Sequence, residues 1–149
     1  MITKDEYEYI YKTLEWARGY ISRIKLQIND ITFMLESCVY KSKFNIYCFV
    51  KNPDGIYKSV DSDIEEQKII CDTKIIKSYF NRRKSKLTKR ELKLLNETLP
   101  EKSKKNYEYK MPMWSSSRKF VNHLKKLQKQ GYEISLIKYN DCETANSAN

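Results

Sequence analysis

Glycine and proline are scarce in this chain, three of each in 149 residues, which excludes long flexible linkers and low-complexity disorder. No run approaches the roughly 20 apolar residues that a membrane-spanning helix needs. The opening MITKDEYEYIYK carries charge where a secretory leader would carry its apolar stretch. These features set the expectation of a cytoplasmic protein without membrane contact. Histidine occurs once, as His123, and Cys38, Cys48, Cys71 and Cys142 stand far apart with no C-x-x-C pair, so no zinc site of familiar spacing is expected. The thiols are expected to be reduced, with no metal and no cofactor. No motif places a Ser, Cys or carboxylate to work with His123, which reads as a residue at the boundary of a helix face, and the twelve tyrosines lack the Arg-His-Arg company of a recombinase nucleophile. The expectation is a protein without enzymatic activity.

Positive charge is what the chain has in excess, and it is unevenly placed. The net charge is +10. From Met1 to Asp72 there are 10 Lys and Arg against 12 Asp and Glu, whereas Thr73 to Tyr139 carries 19 against 5, a net of +14. A basic half on a near-neutral half suits a polyanionic partner, because neutralising phosphates releases their counterions.

The chain length and an apolar fraction of 40% fit one α+β domain over residues 1–140, with a polar tail at 141–149 expected to be disordered. Thr3 and Glu6 have capping-box spacing. After them Tyr7, Ile10, Leu14, Ala17, Ile21, Ile24, Ile28, Ile31, Leu35 and Cys38 alternate spacings of three and four. That is a heptad seam, which predicts a long amphipathic helix over residues 1–37, packed on its own domain with some homodimer contact through Ile10, Leu14, Ile21, Ile24, Ile28 and Ile31. Trp16, Tyr20, Leu26, Phe33 and Met34 fall off the seam, and Gly19 marks a kink or a close helix approach.

Residues 44–72 read as a hairpin region. Phe44, Ile46, Cys48 and Val50 face one side of a strand and Tyr47 and Phe49 the other, Asn52-Pro53-Asp54-Gly55 turns the chain, and residues 56–60 return, giving a hairpin over 44–60. Asp61, Asp63, Glu65 and Glu66 read as a solvated acidic loop, and residues 67–71 as a short strand. A helix is predicted over residues 73–84, ending in Arg82, Arg83 and Lys84. A second follows, capped by Thr88 and Glu91, with Leu92, Leu95 and Leu99 opposite Lys89, Arg90 and Lys93, and Pro100 ends it. Residues 101–105 read as a solvated connection. Tyr107, Tyr109, Met111 and Met113 alternate as in an edge strand, with both tyrosines expected in the core and Trp114 left between core and base-stacking roles.

Residues 115–139 are the most polarised part. Phe120, Val121, Leu124 and Leu127 share one helical face and Arg118, Lys119, Asn122, Lys125, Lys126 and Lys129 the opposite one; Gly131 marks the stop, and residues 132–139 alternate as a C-terminal strand of a small antiparallel sheet.

The order helix, capped helix, connection, amphipathic basic helix, glycine and strand resembles a winged helix-turn-helix DNA-binding domain over about 65 residues. The matching residues are Ser116 at the helix start, Val121, Leu124 and Leu127 on its core face, Gly131 at the break and Tyr132 to Tyr139 as a first wing strand. The resemblance implies a winged-helix-like C-terminal half whose basic helix lies in the major groove. The connection from Pro100 to Ser115 is longer than that family's tight turn, and no second wing strand follows Tyr139. The basic region of residues 73–139 thus predicts a regulatory or accessory nucleic-acid-binding protein, DNA ahead of RNA, with Arg82, Arg83, Lys84, Lys89, Arg90, Lys93, Arg118, Lys119, Asn122, Lys125, Lys126 and Lys129 as the contact set. The alternative is an inhibitor or host-takeover factor of the phage or mobile-element kind, acting on an acidic protein surface.

Overall fold

The computed structural model describes residues 1–15 and 21–137, which fall into two compact units: residues 1–72 with 111–137, and residues 73–110. The N-terminal helix α1 is Lys4–Glu15. Its start is the expected capping box: Thr3 N–H donates to Glu6 Oε1 at 3.1 Å and Glu6 N–H donates to Thr3 Oγ1 at 3.2 Å. The 37-residue helix does not form. Residues 22–40 instead make two strands, β1 (Ser22–Ile28) and β2 (Ile31–Tyr40), paired antiparallel with Ile28 opposite Ile31.

The hairpin has a simple physical cause. Ile24, Leu26 and Ile28 alternate with Arg23, Lys25 and Gln27, which is the period of a half-buried strand. Asn29, at φ +53°, serves the tight turn into β2, on whose inner face stand Phe33 and Leu35. The apparent heptad took Ile24, Ile28, Ile31 and Leu35 from the two arms of this hairpin. Leu26 and Phe33, which the heptad left off its seam, are fully buried. Ile10, Leu14, Ile24 and Ile28 lie in the chain's own core, Ile31 packs against it, and Ile21 is exposed, so the six residues offer no continuous dimer seam. Trp16, Ala17, Gly19 and Tyr20 lie outside the described residues, as do Tyr139, Cys142 and the tail.

Lys41 and Ser42, both at positive φ, form the tight turn from β2 into β3 (Lys43–Lys51). The expected hairpin follows: β4 (Tyr57–Ser59) returns along β3, with Asn52 N–H donating to the Ile56 carbonyl at 2.8 Å and Gly55 at φ +86°. Where a strand was expected at residues 67–71 there is a single helical turn, α2 (Glu65–Lys68).

In the second unit, β5 (Asp72–Ile76) replaces the first half of the helix predicted over residues 73–84, as the β-branched run Thr73, Ile75, Ile76 favours. The helix proper, α3, is only Tyr79–Arg83, capped by Ser78, and Lys84–Lys86 continue as a 3-10 turn. Then come α4 (Lys89–Thr98), the short α5 (Glu101–Lys104) in place of an unstructured connection, and β6 (Tyr107–Met111), which pairs with β5 in a two-stranded sheet.

The chain re-enters the first unit through Pro112, whose carbonyl accepts from Cys48 N–H at 3.0 Å. There follow β7 (Met113–Trp114), α6 (Ser117–Lys129) and β8 (Ile134–Ile137). The main sheet runs β4-β3-β2-β1-β8 with β7 also on β3, every pairing antiparallel. Its inner face joins α1 and α6 in one core that includes Ile10, Leu14, Leu26, Phe33, Leu35, Ile46, Phe120 and Leu124. The fold is therefore α+β, and among the described residues no helix is long and apolar enough to cross a membrane.

Among the described residues Cys38, Cys48 and Cys71 are not joined by a disulfide. Burial above all, then the Cys71 thiol and Asp72, push the Cys48 thiol well above its ordinary value. The folded chain thus keeps a proton that the unfolded chain releases near the ordinary thiol range of about 8.5. That contribution to stability is intact below this range and is lost as pH rises beyond it. Thermal midpoints followed by circular dichroism should fall across alkaline pH, and Cys48→Ala should flatten the decline.

Candidate nucleic-acid interface

Helix α6 begins at Ser116, whose hydroxyl oxygen accepts from Lys119 N–H at 3.3 Å. It ends in a Schellman motif: Tyr132 N–H donates to the Leu127 carbonyl and Gly131 N–H to that of Gln128, each at 3.2 Å, with Gly131 at φ +99°. Between these stops Phe120, Val121, Leu124 and Leu127 are all buried. Arg118, Lys119, Asn122, Lys125, Lys126 and Lys129 are all exposed on the opposite face.

Helix α1 holds part of this face in place. The Arg118 guanidinium lies 4.3 Å from the Tyr11 ring centroid and Lys125 Nζ 5.4 Å from that of Tyr7. Tyr7 Oη donates to Gln128 Oε1 at 3.1 Å, and the buried Ser117 hydroxyl donates to the Glu15 carboxylate. Two cations are thereby set against aromatic faces without being neutralised. Among the described residues none of the five α6 cations forms an ion pair.

His123 and Trp114 belong to the core side. The Trp114 indole N–H donates to the Ile70 carbonyl at 2.9 Å, and His123 Nε2, 2.6 Å from the Ile69 carbonyl, must carry the proton because a carbonyl can only accept. The two rings are 5.0 Å apart and Trp114 is buried, so it offers no base-stacking surface.

The second unit carries a basic surface of its own. Residues 73–110 contain 13 Lys and Arg against 4 Glu, a net of +9. Arg82 and Arg83 end α3, Lys84 opens the 3-10 turn, and Lys89, Arg90 and Lys93 lie on α4, whose Thr88 cap accepts from Glu91 N–H at 3.2 Å. All six are exposed, and among the described residues none pairs with a carboxylate.

Sequence reasoning misplaced the tyrosines here: Tyr107 is 64% exposed, with its ring 6.0 Å from Tyr109 and nearly parallel to it. Phe80 is the only residue of this unit that is buried among the described residues, and Ile75, Ile76, Tyr79 and Leu94 are exposed. A strand on so small a unit has little core to turn its aromatics toward. Of the acidic residues, Asp61 and Asp63 lie in the loop, where Asp63 N–H donates to Asp61 Oδ1 at 2.9 Å, and Glu65 and Glu66 open α2, with Glu65 Oε1 3.2 Å from Lys68 Nζ. Among the described residues no group of three or more His, Cys, Asp or Glu is placed to hold a metal ion.

What defines the protein at this level is a mixed α+β architecture: an antiparallel sheet covered on one face by two helices, one of them cationic on its outer side. No family model, no curated protein and no solved structure matches the chain. The strand expected as a first wing strand, β8, pairs with β1 of the main sheet.

Proposed function

We propose that the protein is a non-enzymatic nucleic-acid-binding accessory factor, with DNA ahead of RNA as its partner, acting through the outer face of α6 and the basic surface of residues 73–110. One observation carries this reading: eleven cations and Asn122 are all exposed, and among the described residues none of the cations is neutralised by a carboxylate. Cations that only solvate a surface often sit within reach of acidic neighbours, as Lys12 does with Glu8 and Lys68 with Glu65. Among the described residues the cations of the contact set form no such pair, which leaves their charge to phosphate.

On α6 the Ser116 cap and the contacts with Tyr7 and Tyr11 present the basic face on a rigid scaffold, so phosphate contacts cost little ordering of the backbone. The test is fluorescence anisotropy of labelled duplex DNA, single-stranded DNA and RNA at low salt. Binding to at least one of them is expected. A protein that shifts none of the three would contradict the reading and turn attention to an acidic protein surface.

A further inference from the structure

The main sheet has a second face that the core does not use. Across the strand registers the residues of this face include Arg23 and Lys25 from β1, Met34 and Glu36 from β2, Lys43, Tyr47, Phe49 and Lys51 from β3, and Tyr57 from β4. None of these side chains is buried, and none of the hydrophobic ones packs against the core, whereas Ile24, Leu26, Phe33, Leu35, Ile46, Cys48 and Val50 on the opposite face are buried. A solvated sheet face ordinarily carries polar residues. Here polar residues such as Gln27, Thr32, Asn45 and Ser59 share the face with two neighbouring aromatic rings on β3, Tyr47 and Phe49, and with cations.

Among the described residues of this face Glu36 is the one carboxylate, and Arg23 holds it at 3.0 Å. Lys25 Nζ lies 5.5 Å from the Tyr57 ring centroid, so cation and ring share one side of the sheet. We propose that this face is a stacking surface for single-stranded nucleic acid, with Phe49 and Tyr47 each taking a base and Lys43 and Lys51 following the phosphates.

The charge selects an anion and the rings select something planar. The spacing selects a single strand. Tyr47 and Phe49 are two residues apart on β3, about 6.8 Å along the strand. That is twice the roughly 3.4 Å advance per nucleotide in a stacked duplex strand, so neighbouring bases reach both rings only when the strand is unstacked and extended. A duplex keeps its base faces inside and has nothing to offer these rings.

The proposal rests on the nucleic-acid reading above for its polymer, and it can fail separately. Because α6 packs on the inner face of the sheet, its basic side can be altered without touching Tyr47 or Phe49. The experiment compares the full chain with Tyr47→Leu/Phe49→Leu, which keeps apolar bulk and removes the aromatic faces. The probes are a labelled 20-nucleotide oligothymidine, the matching oligouridine and a duplex of the same length.

Single-strand affinity should fall by roughly 5-fold to 150-fold for each ring lost, and duplex affinity should change by less than about twofold. An equal loss on single strand and duplex, or no loss on the single strand, overturns the stacking surface. If in the latter case Lys119→Glu/Lys125→Glu/Lys126→Glu still abolishes binding, the general reading stands without it. If the wild-type chain binds none of the probes, both fall. Should the double variant fail to fold, photo-cross-linking of the wild-type chain to a bromouracil-substituted strand decides: adducts in residues 44–51 are expected, and adducts confined to other segments overturn the proposal.

Discussion

Replacing Lys119, Lys125 and Lys126 together by glutamate is expected to lower nucleic-acid affinity by at least a thousandfold at about 100 mM salt, with the circular dichroism spectrum unchanged. The three side chains are exposed, and among the described residues Lys125 alone makes a contact, a cation–π approach to Tyr7, so the substitutions remove little that holds the fold together. Each reversal deletes a favourable phosphate contact and adds a repulsive one, and phosphate contacts supply most of non-specific affinity. Reversal of Arg82, Arg83 and Arg90 in residues 73–110 should produce a loss of the same kind. Comparing the two triple variants by anisotropy titration shows how the affinity is shared between the two basic surfaces. A fall of less than tenfold in both would mean that neither surface meets the phosphates.

Phe33→Ala is expected to destabilise the protein by about 3–5 kcal/mol, the usual cost of emptying a buried phenylalanine site. Phe33 has no exposed surface and stands on the inner face of β2, opposite Val50 of β3 and Leu26 of β1. Phe120→Ala should cost a similar amount, because Phe120 is equally buried and its ring centroid lies 5.6 Å from that of Trp114 in an edge-on contact. Urea unfolding measures both. On a long helix with the heptad seam Phe33 would lie off the seam and its loss would be mild, so the Phe33 result also separates the two architectures.

What could be read in the sequence was local chemistry. The capping box at Thr3, the Thr88 helix cap, the turn Asn52-Pro53-Asp54-Gly55, the stop at Gly131 and the two-faced α6 all follow from contacts within a few residues, and all are present. What was misread depends on partners distant in the chain. Inner-face positions of a two-residue hairpin, taken four and three apart, imitate a heptad. Only the fuller alternation through Leu26 and Phe33, together with Asn29-Asp30 as a turn, distinguishes the two. The role of Trp114 was likewise set by the distant carbonyl of Ile70, which no local pattern announces. The contact set was legible because exposure of a cation on an amphipathic helix is itself a local property. Tyr47 and Phe49 could be read as one side of a strand, but the face they share with β1, β2 and β4 could not, because it exists only once the strands lie side by side.

The salt dependence of binding tests the central claim most directly. Anisotropy titrations of the wild-type chain against a labelled 20-nucleotide strand and its duplex, between about 50 and 200 mM monovalent salt, give the slope of log K against log salt concentration. The account predicts a slope near −4 or steeper, because at least five phosphates are met by the cations of α6 or of residues 73–110, and it predicts that the slope becomes shallower in the charge-reversed variants. A slope near zero, or no binding at 50 mM, would contradict it.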